Sequence, residues 1–62
     1  LTGREMQVLG LMAVGMSNQQ IADELVVVLD TVKKHVGHIF DKLGAANRTQ
    51  AVARARVMGL VR

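Results

Sequence analysis

The chain has 62 residues, eight Lys and Arg against five Asp and Glu for a net charge of +3, no Cys, no Pro, no Trp or Tyr, and one aromatic residue, Phe40. A chain this short buries only about 60% of its unfolded surface, which favours one small, locally wired domain and excludes a large enzyme cleft or a doubly wound nucleotide-binding sheet. The lack of cysteine excludes disulfide frameworks and thiolate zinc sites and is compatible with a reducing, cytoplasmic compartment, while the longest apolar run, Leu25 to Leu29, falls well short of the roughly 18 residues a membrane span needs.

The chain opens at Leu1, without an initiator Met or a basic-then-apolar leader, so a piece of a longer protein is expected, with regulation held in the remainder. Thr2 and Glu5 form a T-x-x-E capping box, in which the hydroxyl takes an orphan amide and the carboxylate reaches back to the cap amide. A first helix is predicted over about Thr2 to Val14, with Val8, Leu9 and Met12 at helical spacing and Gly15 suited to a left-handed C-terminal cap. Ser17 and Gln20 repeat the box as S-x-x-Q. A second helix, about Asn18 to Leu25, follows with Ile21, Ala22 and Leu25 inward and Asp23 and Glu24 outward. The run Val26-Val27-Val28 taken alone reads as a strand, but nothing else in the chain can pair with it, and it is expected to form a turn.

From Leu29 to Leu43 the residues Val32, Val36, Ile39, Phe40 and Leu43 fall within an arc of about 100° on a helical wheel. The opposite arc carries Lys34, Gly37, His38 and Asp41, with Asp30 and Thr31 in the first turn and Lys33 at the border of the apolar stripe. Gly44 stops this helix, Asn47 caps the next, and a fourth helix is predicted over Arg48 to Met58, with Ala51, Val52, Ala55 and Met58 inward. Ala53 and Val57, flanked by Arg54 and Arg56, form a second, smaller apolar strip that a dimer contact would use. The expected fold is all-α, a compact four-helix domain.

Charge is uneven: residues 1 to 30 sum to −3 and residues 31 to 62 to +6, so a polyanion is expected to dock on the second half. A short helix, a turn and a longer helix with a polar outward start make the helix-turn-helix plan, whose second helix enters the DNA major groove. A groove about 12 Å wide admits one helix, Lys33 and Lys34 can donate to guanine O6 and N7 or to phosphate, and His38 can donate or accept. Ser17, Asn18 and Gln20 can offer donors to phosphate. His35 and His38 stand three residues apart, yet no third or fourth metal ligand accompanies them, and neither a metal nor any other cofactor is expected. No nucleophilic Cys, Ser/His/Asp order or glycine-rich phosphate loop points to catalysis, so no enzyme is expected.

The segments LTGREMQVLGLMAVGMSNQQIADEL, LDTVKKHVGHIFDKLGAANRTQAVARA and MGLV resemble the LuxR-type (GerE-like) helix-turn-helix output domain across essentially the whole chain. T-x-R-E, SNQQIA, TVKKHV and KLGAANRTQAV, in that order and spacing, carry the resemblance. It implies a sequence-specific bacterial transcription regulator, commonly dimeric on DNA through its last helix and set behind a receiver, a signal-binding domain or a large nucleotide-binding module, with RNA polymerase as a further expected partner. LDTVKKHV and AANRTQAVARAR are similar to the output domains of large MalT-like activators. The resemblance puts base contacts on Lys33, Lys34 and the place of Gly37, to which the groove argument adds His38. Backbone contacts fall near Ser17, Asn18, Gln20, Thr31, Val32 (through its amide), Lys42 and Arg48, and the dimer contact on Ala53, Arg54, Arg56 and Val57.

Two departures from the family pattern stand out. Val28 occupies a position often held by Ser or Thr, and Gly37 offers no side chain to a base. Two other classes fit the same fold: a helical protein-interaction module using the strip on the last helix, and a sigma-factor-like promoter-reading domain, against which the full fourth helix counts.

Overall fold

The computed structural model describes residues 1–62 and contains four helices and no strand. They are α1 (Gly3–Ala13), α2 (Asn18–Leu25), α3 (Leu29–Leu43) and α4 (Arg48–Val57). Both capping boxes form as the spacing requires. Thr2 Oγ1 accepts from the Glu5 amide at 3.1 Å while Glu5 Oε1 accepts from the Thr2 amide at 2.9 Å, and Ser17 and Gln20 repeat the exchange at 3.2 and 2.8 Å. Asn47 caps α4 through a 2.9 Å bond from the Gln50 amide, whereas Val28, at the start of α3, supplies no side-chain cap.

All four helices stop in the same way. The residue after each last turn has positive φ, and the amide beyond it bonds a carbonyl five positions back: Met16 to Leu11, Val27 to Ala22, Ala45 to Phe40 and Leu60 to Ala55. At three of these stops the left-handed residue is glycine, namely Gly15, Gly44 and Gly59. At the fourth it is Val26, with φ +56°, a conformation that crowds a Cβ and is worst for a β-branched side chain. The three-valine run is therefore a turn, and its first residue is a strained one.

α3 is the axis of the molecule, packed against α1, α2 and α4. Val8, Leu9, Ile21, Val32 and Ile39 are fully buried, each adding about 1.5–3 kcal/mol of burial free energy relative to an exposed position. Met12, Ala22, Val36, Leu43, Ala51 and Ala55 complete the core, and the tail residues Leu60 and Val61 pack on it. One inward assignment is corrected. Met58 is 60% exposed, because α4 ends at Val57 and Met58 turns out of the core into the C-terminal cap. Glu5, which the capping box explains only as an end-cap, is also 3% exposed and is the one buried charge.

Candidate nucleic-acid interface

Because Val32, Val36, Ile39 and Leu43 take the inner side of α3, the helical period turns Lys33, Lys34, Gly37, His38 and Asp41 to solvent. Lys33 and Lys34 make no ion pair, and the exposed Asp30 in the first turn complements the helix dipole. His35 is half-buried beside the stripe, as its wheel position implies, and Thr31 is half-buried at the helix start. The Val32 side chain is wholly in the core, and its amide makes a long 3.4 Å bond to the Val28 carbonyl.

The far half of this face is tied to α1. Glu5 Oε1 accepts from Lys42 Nζ at 2.8 Å, and Glu5 Oε2 lies 3.6 Å from His38 Nδ1. The Lys42 hydrogen bond first, then that from the Thr2 amide, holds the Glu5 carboxyl down at about 2, against the opposing pull of burial. One carboxylate thus reaches two residues of α3 a helical turn apart.

The start of α2 lies against the start of α4. Arg48 donates through Nη1 to Asn18 Oδ1 at 3.0 Å and through Nη2 to the Met16 carbonyl at 2.6 Å. Ser17 and Gln20 are committed to the capping box through Ser17 Oγ, the Ser17 amide and Gln20 Oε1, which leaves the Gln20 amide hydrogens and the Ser17 hydroxyl hydrogen facing water. Where α4 ends, Leu43, Ala53, Arg54, Val57 and Met58 line a shallow apolar groove. Arg54 folds back towards the Leu43 carbonyl at 3.4 Å, and Arg56 donates to the Arg62 carbonyl at 2.9 Å, away from the groove.

Residues 1–55 match GerE, the luxR family of bacterial regulatory proteins. The chain belongs to this family. It is 52% identical over 56 residues to the HTH-type transcriptional regulator MalT of Serratia proteamaculans (strain 568), a match that takes in 90% of this chain and 6% of that protein. Among solved structures it is similar to the response regulator ChrA of a heme-sensing two-component system, with a TM-score of 0.94 and 43% identity over 97% of this chain and 30% of ChrA. The transcription factor GerE superposes with a TM-score of 0.92 at 31% identity, covering all of this chain and 92% of GerE. The Vibrio cholerae VqmA dimer, a LuxR-type receptor in the absence of its target DNA, matches with a TM-score of 0.94 at 31% identity over 100% of this chain and 29% of its own. The domain is therefore of the LuxR helix-turn-helix type, a DNA-binding family of transcription regulators and not of enzymes.

Within this frame the fold gathers the sequence-predicted residues into three groups. Lys33, Lys34 and His38 share the outward face of α3; Ser17, Asn18, Gln20 and Arg48 meet where α2 and α4 begin; Ala53, Arg54 and Val57 line the groove, with Arg56 outside it. Three features escaped the sequence. Glu5 is legible there only through its cap partner, because Lys42 lies 37 positions away. Leu43 and Met58 join the groove, and only the depth of packing reveals it, since the wheel assigns both inward.

Proposed function

We propose that this domain is the sequence-specific DNA-binding output of a larger cytoplasmic transcription regulator, with α3 lying in the major groove and α4 joining two copies. The observation that carries the reading is the outward face of α3, where two unpaired lysines precede a glycine and a histidine on a helix whose other side is wholly core. Lys33, Lys34 and His38 read bases. Ser17, Asn18, Gln20, Thr31, the Val32 backbone and Lys42 lie along the phosphates, with Arg48 at the same surface bonded to Asn18. The apolar groove of Leu43, Ala53, Val57 and Met58, with Val57 89% exposed, supports a homodimer contact through α4. That the chain spans only 6% of MalT and 30% of ChrA supports a longer regulator, and contact with RNA polymerase is the expected output step.

Gly37 leaves a gap in the reading face, so discrimination rests on fewer side chains than a polar residue there would supply. The test is selection of bound duplexes from a random library, at low and near-physiological salt. A short motif, recovered as an inverted repeat with half-sites about one helical turn apart, supports the dimeric regulator. Retention without a motif leaves phosphate binding alone. No retention even at low salt overturns the reading in favour of a protein-interaction module working through the α4 groove.

A further inference from the structure

We infer that Arg48 is a positioning residue: it acts on DNA through Asn18, holding that amide with its oxygen inward and its NH2 group outward toward phosphate, and not by touching phosphate itself. The inference rests on the DNA-binding reading above. A guanidinium carries only donors, so the Asn18 atom it meets at 3.0 Å has to be the carbonyl oxygen, and the amide orientation follows from that chemistry alone. Turning Oδ1 to Arg48 leaves both Nδ2 hydrogens on the opposite side of the amide, with no acceptor inside the chain. The same guanidinium is anchored by Nη2 to the Met16 carbonyl at 2.6 Å, so the planar fork is fixed at two points thirty or more positions away in sequence.

Asn18 is the first residue of α2, next to the Ser17 cap, and its own amide and that of Gln19 precede the first intrahelical acceptor. An oriented NH2 group beside those amides makes a donor set of fixed geometry, and Arg48 is what fixes it. Both side chains are half-buried, and two of the five guanidinium donors are committed to acceptors at the start of α2, which holds the group against Asn18 and Met16 and assigns it to orienting the Asn18 amide. Lysine in its place keeps the charge but cannot span both acceptors, because an ammonium is a point donor and not a fork.

The experiment measures affinity for a short synthetic duplex of fixed mixed sequence at low salt, using the 62-residue chain, Asn18→Ala, Arg48→Lys and the double variant. Asn18→Ala and Arg48→Lys are each expected to weaken binding roughly tenfold, and the double variant no more than either alone, with the salt slope unchanged. Losses that multiply in the double variant, or an Arg48→Lys chain that binds like the parent, overturn the inference. On the unsubstituted protein, titration with the duplex is expected to shift the Asn18 side-chain amide resonances and leave the Arg48 Nε–H in place. The opposite pattern overturns it even where a variant unfolds. Absence of any binding by the unsubstituted chain instead removes the DNA-binding reading, and this inference with it.

Discussion

Lys42 Nζ lies 2.8 Å from Glu5 Oε1, joining the last turn of α3 to the first turn of α1. Glu5 is buried, its second oxygen lies 3.6 Å from His38, and its carboxyl is held near 2. A carboxyl whose folded pKa is depressed contributes stability that is present above its unfolded value and is lost as pH falls through the folded one. Urea unfolding midpoints of the parent are therefore expected to fall between about pH 4.5 and 2, with a flatter profile in Glu5→Gln. Lys42→Met, which leaves the buried carboxylate without its main partner, is expected to move the acid transition to higher pH. Superimposable profiles for parent and Glu5→Gln would show that the pair contributes nothing to the acid limb.

Val26 holds a left-handed conformation while 89% exposed, so its side chain contributes strain and little packing. Val26→Asn is expected to stabilise the fold by about 1 kcal/mol, since asparagine tolerates this region. Thermal denaturation checks it, and an unchanged or lower midpoint would mean that the valine packs usefully on the turn.

At the N-terminus of α3 the backbone of Val28 already has the extended conformation of a cap, φ −75° and ψ 153°, but no side-chain acceptor. Val28→Asp or Val28→Thr is expected to add about 1 kcal/mol by supplying one. Only the threonine variant should keep duplex affinity, because aspartate places a negative charge where α3 is proposed to meet the phosphates. Chemical denaturation and duplex titration, run side by side on the two variants, separate the two effects.

Lys34 stands unpaired at the centre of the outward face of α3. If it reads a base, Lys34→Ala weakens binding to the selected site by about 1–3 kcal/mol and relaxes preference at one base pair. Equal losses on selected and random duplexes would assign it to phosphate.

Val57 projects into the apolar groove at the end of α4. A charge there, as in Val57→Glu, is expected to abolish paired occupancy of the two half-sites with little change in monomer stability, because so exposed a position is not part of the core. Sedimentation of the duplex complex reads the stoichiometry. Two bound copies with Val57→Glu would take α4 out of the dimer contact.

The helices, both capping boxes, the glycine stops at 15 and 44 and the outward lysines were all legible in the chain, because each depends on residues within one or two turns of each other. α2 and α3 begin and end at the residues the periodicity predicts, Asn18–Leu25 and Leu29–Leu43, and the family resemblance rests on the same local segments. What the sequence could not supply is every relation between segments brought side by side only by packing on α3. The second role of Glu5 needs Lys42 to arrive from 37 positions away, and the Arg48 fork needs α4 to start beside Asn18. The left-handed Val26 belongs to the same class: local preference argues against valine there, and the docking of α2 onto α3 imposes a tight reversal at that point whatever residue occupies it. Local spacing therefore determined which helices form and which face of α3 is polar, while tertiary packing decided which of its polar groups are free to meet a ligand and which are already held by the fold.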